Sequence, residues 1–108
     1  MDNSRQLLDF INKSKTAFQA AYEVKDILDK NGFAELKESD SWDLKKGGKY
    51  YVMKNNSALI GFEIGNGEIE EEGFRLIGAH TDSPGFRIKP NAEMKAEGTY
   101  IKLNTEVY

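Results

Sequence analysis

The first third of the chain repeats its apolar residues at helical spacing. Leu7, Leu8, Phe10 and Ile11 recur three and four apart, and Phe18, Ala21, Tyr22, Ile27 and Leu28 fall on one broad side of a second segment. Two leading helices follow from that pattern. Thr16 is placed to cap the second, because its hydroxyl can accept an orphan backbone N–H, and Asn31-Gly32 supplies the left-handed stop that glycine adopts without steric cost. After Gly32 the helical period gives way to β-rich runs and frequent glycine. Lys49 to Lys54, the turn Asn55-Asn56-Ser57, and Ala58 to Ile64 predict a β-hairpin entered through Gly47-Gly48. Gly65-Asn66-Gly67 followed by Glu68, Glu70, Glu71 and Glu72 predicts an exposed acidic loop. Phe74 to Ala79, with few polar side chains, predicts a third strand interior to a sheet. The polar turn His80 to Gly85 separates it from extended chain at Phe86 to Pro90. From Thr99 to Tyr108 the residues alternate, with Ile101, Leu103, Thr105 and Val107 on one face. The fold class expected is α/β: two N-terminal helices followed by a mixed β-sheet.

Composition limits what such a chain does. At 108 residues and 12.2 kDa it has room for one domain, expected to bury about two-thirds of its unfolded surface. Fifteen basic residues against eighteen acidic ones leave a net charge of -3, which provides no overall attraction to phosphate backbones or anionic lipid, so neither nucleic acid nor membrane is an expected partner. No apolar run approaches the roughly twenty residues that span a bilayer. The start, Met1-Asp2-Asn3-Ser4-Arg5-Gln6, lacks the basic and then apolar character of a secretion signal, so a cytoplasmic location is expected. With no cysteine in the chain, disulfides, thiol nucleophiles and thiolate zinc sites are all ruled out within it. Nitrogen and oxygen remain as possible metal ligands, and the one histidine becomes the residue to examine.

That histidine, His80, lies two residues before Asp82. In extended backbone two such side chains project to the same side. The carboxylate can then accept a hydrogen bond from one ring nitrogen and fix the tautomer that presents the other to a metal. One histidine with one aspartate is only part of a site, because a catalytic zinc needs three protein ligands. A bland alternative, a hydrogen-bonded surface histidine beside a turn, stands next to this reading. Ser83 is too close to His80 along the chain for a Ser-His-Asp arrangement, and Gly65-x-Gly67 lacks the third glycine of a dinucleotide fingerprint.

The run Ile77-Gly78-Ala79-His80-Thr81-Asp82-Ser83-Pro84, followed by Arg87-Ile88-Lys89-Pro90, resembles the metal-site motif of the aspartyl aminopeptidase family of dinuclear-zinc metalloaminopeptidases. Further blocks follow the same pattern in order: Phe10 to Ser14, Ala17-Phe18, Asn31-Gly32-Phe33, Glu35-Leu36, Trp42, Gly48 to Tyr51 and Glu106-Val107-Tyr108. The resemblance covers essentially the whole chain. It implies that His80 is a zinc ligand, the metal residue of this stretch, and that Asp82 is the catalytic-site aspartate that orients it. It also implies two zinc ions per complete site, with the bridging carboxylate, the general base and the other ligands downstream of Tyr108. Residues 1–108 would then be a single partial catalytic domain truncated at its C-terminus, inactive alone, from a homo-oligomeric enzyme that removes an N-terminal residue from peptide substrates, with an acidic residue as the candidate preference. The sequence departs from the family at Ser14-Lys15-Thr16-Ala17-Phe18-Gln19, where relatives often carry two prolines and a histidine; Gln19 is neither an acid nor a strong zinc ligand. There the alternative is a helix start packed by Phe18. For the whole chain the competing reading is a free-standing α+β interaction module that uses its sheet edge, or Trp42, Tyr50 and Tyr51, to bind a protein.

Overall fold

The computed structural model describes residues 2–107, in the order α1 (Asn3–Lys13), α2 (Ala17–Lys30), β1 (Ala34–Leu36), β2 (Lys49–Lys54), β3 (Ala58–Glu63), α3 (Ile69–Glu72), β4 (Phe86–Ala96) and β5 (Tyr100–Val107). Each long helix begins where a side chain caps it. Asp2 accepts from the Ser4 N–H at 3.0 Å, and Thr16 from the Gln19 N–H at 3.2 Å. Gln19 therefore occupies the third position of a Thr-x-x-Gln helix start. The Phe18 beside it is not packed as the sequence suggested: its side chain is 60% exposed. Asn31 and Gly32 (φ 80°) close α2 as expected.

β1, β2 and β3 form one mixed sheet in that order. β1 runs parallel to β2, pairing Glu35 with Tyr51, and β2 runs antiparallel to β3, pairing Tyr51 with Gly61. The hairpin turn holds Asn55 and Asn56 both at positive φ, 50° and 56°, the left-handed geometry whose twist matches antiparallel strands and that asparagine tolerates well. Helix α2 packs on this sheet. Gly61 allows the close approach, since a β-carbon there would come within 3.2 Å of Leu28 Cδ1. The buried core among the described residues is small: Ala20 and Ala21 of α2, Tyr51 and Val52 of β2.

β4 and β5 pair with one another antiparallel in a separate two-stranded sheet, with a register shift between Ile88 and Glu93 where Asn91 has φ 55°. Residues 86–90 are extended as expected, and the strand continues to Ala96. Tyr108, the end of the alternating run, lies outside the described residues. Two expectations are corrected. The acidic stretch is not purely a loop, because Ile69–Glu72 closes one helical turn through the Gly73 N–H to Ile69 carbonyl bond. Phe74 to Ala79 is not a strand either; it is irregular, unpaired chain with Phe74, Leu76 and Ile77 at 84, 89 and 100% exposure. Strand propensity is local, whereas a strand needs a neighbour to satisfy its N–H and C=O groups, and none of the described strands lies beside this stretch.

The molecule is accordingly extended. Its radius of gyration is 20.2 Å, against about 13 Å for a compact domain of this length. Its accessible surface of 9564 Å² exceeds the roughly 6,100 Å² of a compact monomer of this mass by about 3,500 Å². The expectation of two-thirds burial fails, since this surface leaves only about half of the unfolded chain's area removed from water.

Candidate functional site

His80 and Asp82 lie on the irregular stretch between α3 and β4, at the end of the exposed apolar run. The backbone brings them together. His80 Nδ1 is 2.8 Å from the Asp82 carbonyl oxygen and 3.2 Å from Asp82 Oδ1. A carbonyl oxygen only accepts, so Nδ1 carries the proton in this arrangement and donates it to the carbonyl, with the carboxylate as the second acceptor. In the neutral ring, Nε2 is then left with its lone pair, the form that binds a metal. Sequence reasoning assigned the orienting role to the carboxylate alone, yet the nearer acceptor is the backbone. Both side chains are open to solvent, at 80 and 56% exposure.

The donor set tests whether this stretch suits zinc. One imidazole with a hydrogen-bonded second nitrogen fits a zinc ligand. Among the described residues, however, no three His, Asp or Glu side chains cluster closely enough to hold an ion, so as a zinc site this stretch offers one candidate ligand where a catalytic zinc needs three.

Thr81, between the two, turns the other way. Its hydroxyl donates to the Ser57 carbonyl at 2.8 Å, at the base of the β2–β3 turn, and its side chain is half-buried. Sequence reasoning did not single out this residue, and nothing in the local pattern marks a contact made to a residue 24 positions away.

A second polar cluster, also unmarked by sequence reasoning, joins α2 to the sheet. Tyr51 is fully buried, and its hydroxyl accepts from Lys25 Nζ at 2.7 Å and donates to Asp29 Oδ1 at 2.7 Å. Lys25 also bonds Asp29 at 2.9 Å and reaches Glu35 at 3.4 Å. The Tyr51 hydroxyl, and then Asp29, hold the Lys25 ammonium above its ordinary pKa. Tyr51, and then Lys25, hold the Asp29 carboxyl below the usual range. Burial pushes the Tyr51 phenol up. With a lysine paired to Asp29 and Glu35 and bonded to Tyr51, the cluster is suited to holding α2 on β1 and β2. Its one sequence signal was the i,i+4 spacing of Lys25 and Asp29.

The aromatic residues considered as a binding surface are engaged within the fold. Tyr50 packs on Phe62 at a ring separation of 5.7 Å, and Trp42 lies 6.4 Å from the same ring with its indole N–H donated to the Lys37 carbonyl at 2.8 Å. No helix among the described residues is long and apolar enough to cross a membrane.

Comparison with known proteins gives a consistent answer. Residues 10–108 match the family model described as aminopeptidase I zinc metalloprotease (M18). The chain is 61% identical over 105 residues to a probable M18 family aminopeptidase 2 of Clostridium novyi (strain NT), covering 97% of this chain and 24% of that protein. It is 53% identical over 108 residues to the protein of the same description from Clostridium acetobutylicum, covering all of this chain and 25% of the relative. The chain thus spans about a quarter of the length of the curated relatives it matches. Among solved structures, it is similar to the S. cerevisiae mApe1 dodecamer, with TM-score 0.81 and 28% identity over 99% of this chain and 25% of that one. An M18-family aminopeptidase from Thermotoga maritima superposes with TM-score 0.77 and 28% identity, over 97% of this chain and 22% of that one.

Proposed function

Because the chain belongs to the aminopeptidase I zinc metalloprotease (M18) family, we propose that it forms the first part of the catalytic domain of a zinc-dependent aminopeptidase, which releases the N-terminal residue of peptides. The carrying observation is the Nδ1 bond from His80 to the Asp82 carbonyl and carboxylate, which leaves Nε2 free in the stretch that matches the family motif. His80 would hold one zinc through Nε2, and Asp82 would keep the ring in that tautomer and orientation. Zinc supplies Lewis-acid chemistry, activating a water molecule and polarising the scissile carbonyl. With one nitrogen ligand, the 108-residue chain alone is expected to hydrolyse no peptide.

Finer points belong to the same reading. The complete site holds two zinc ions, the enzyme acts in the cytoplasm as a homo-oligomer, and acidic N-terminal residues are the first substrates to try. A dodecameric relative of similar fold supports the oligomer. A free-standing interaction module has less support, since Tyr51 is buried and Tyr50 and Trp42 are engaged with Phe62. The test is His80→Ala in the complete protein. Loss of bound zinc and of most peptidase activity is expected; wild-type zinc content and turnover would overturn the assignment.

A further inference from the structure

The segment that carries His80 and Asp82 has little holding it. Between Gly67 and Lys89 every residue is exposed except Thr81. Among the described residues, the hydrogen bond that ties residues 74–85 to the rest of the fold is the one from Thr81 Oγ1 to the Ser57 carbonyl, 2.8 Å long. The bonds at His80 run within the segment, to Asp82.

The acceptor, in contrast, is well fixed. Ser57 follows the two left-handed asparagines of the β2–β3 turn, its own N–H donates to the Lys54 carbonyl at 3.2 Å, and β2 carries the buried Tyr51 and Val52. A hydrogen bond to this carbonyl ties an otherwise exposed segment to the β2–β3 hairpin. The chain bends at Thr81, whose hydroxyl turns to the Ser57 carbonyl, while the exposed His80 and Asp82 on either side of it meet each other.

We propose that Thr81 is a positioning residue for the metal ligand: its hydroxyl, donated to the Ser57 carbonyl, sets where His80 presents Nε2. This rests on the reading of His80 as a zinc ligand. A ligand already held in place loses less conformational freedom on binding than one on a mobile segment, and groups that orient a metal-bound histidine typically contribute about 10- to 100-fold in metal affinity. Thr81 acts one step away, through the backbone, so the lower end applies.

The test measures the zinc dissociation constant of the complete protein by chelator competition, for wild type and for Thr81→Val, Thr81→Ala, Thr81→Ser and His80→Ala. Valine keeps the shape and removes the hydroxyl; alanine removes both and cannot clash, which covers a valine variant that fails to fold. Both are expected to weaken zinc binding about tenfold, with serine restoring it because it keeps the donor. In the metal-free protein, amide hydrogen exchange at residues 80–82 should quicken in Val and Ala but not in Ser. Unchanged zinc affinity in Val and Ala, with His80→Ala losing zinc, overturns the positioning role and leaves the zinc reading intact. A Ser variant as weak as Val also overturns it, since the methyl and not the hydroxyl would then matter. Full zinc retention by His80→Ala overturns the zinc reading itself.

Discussion

Removing the Tyr51 hydroxyl should cost the fold about 1–2 kcal/mol. Tyr51→Phe keeps the ring that fills the sheet-helix junction, so hydrophobic burial is unchanged and the loss is confined to the hydroxyl's hydrogen bonds: one from Lys25 and one to Asp29, each 2.7 Å long, with Glu35 a more distant alternative acceptor at 3.3 Å. Bonds to charged partners contribute about 1.5–3 kcal/mol each where nothing replaces them. Here replacement is available. Lys25 and Asp29 remain bonded to each other at 2.9 Å, and their side chains are 24 and 46% exposed, so water reaches both after the hydroxyl is gone. That brings the total well below the roughly 3–6 kcal/mol of two irreplaceable bonds, to about the worth of one. Tyr51→Ala, which also empties the largest fully buried position, should cost about 3–5 kcal/mol. Urea unfolding followed by far-UV circular dichroism reads the difference. With a slope of about 1–3 kcal/mol/M, Tyr51→Phe should lower the midpoint by roughly 0.5–1 M with the slope unchanged. A midpoint within experimental scatter of wild type would refute the claim that the hydroxyl fastens α2 to the sheet, and a changed slope would mean that the perturbation lies in the unfolded or native ensemble instead.

The same cluster sets a pH dependence at both ends. Asp29 has a lowered carboxyl pKa in the fold, so its contribution is complete above about pH 4 and is lost as pH falls through the folded value. Lys25 and Tyr51 have raised values, so theirs is complete below about pH 10 and is lost as pH rises through the folded values. Urea midpoints taken from acid to alkali should fall at both extremes, and Tyr51→Phe should flatten both limbs; superimposable profiles would remove the cluster from the account. Asp82→Asn keeps the backbone acceptor at 2.8 Å from His80 Nδ1, so zinc affinity in the complete protein should fall about tenfold or less. A loss beyond a hundredfold would show the carboxylate, not the carbonyl, to be the main orienting group. The 108-residue chain in isolation should self-associate as its concentration rises, because Phe74, Leu76, Ile77, Phe86 and Val107 are all at least 80% exposed; light scattering that reports a monomer throughout would count against that.

What the sequence made legible was what short-range physics decides. Both helices appear, and α2 with its caps, because Thr16 and Asn31-Gly32 act on backbone groups within one turn. The β2–β3 hairpin appears with its turn, because consecutive asparagines favour the left-handed geometry that a tight antiparallel connection needs. The proximity of His80 and Asp82 was legible for the same reason, two residues being the reach of one side chain to its neighbour but one. The three-residue β1 was not foreseen, since Phe33-Ala34-Glu35-Leu36 carries no pattern beyond its length and pairs with β2 across an intervening loop. The Thr81 to Ser57 bond and the Lys25–Asp29–Tyr51 cluster join residues 22 to 26 positions apart, and no periodicity reports such distances.

Phe74 to Ala79 shows where local inference fails and why. An apolar run of six predicts a buried strand only if a neighbouring strand and a covering layer exist, and the described residues provide neither. Left uncovered, Phe74, Leu76 and Ile77 account for part of the roughly 3,500 Å² by which the surface exceeds that of a compact domain. At about 25 cal/mol per Å², and with only part of that excess apolar, covering it would release tens of kcal/mol, several times the usual net stability of a domain. A surface of that size does not stay in water when a partner layer is at hand. The curated relatives are about four times the length of this chain, and on the reading proposed above a covering layer for this run would come from that additional length. Placing Phe74 to Ala79 inside a sheet would also carry His80, the next residue, to the end of a fixed strand. The strand the sequence predicts and the rigid metal ligand the chemistry needs would then form in the same step, with the Thr81 bond to Ser57 already holding the near end of that strand in register.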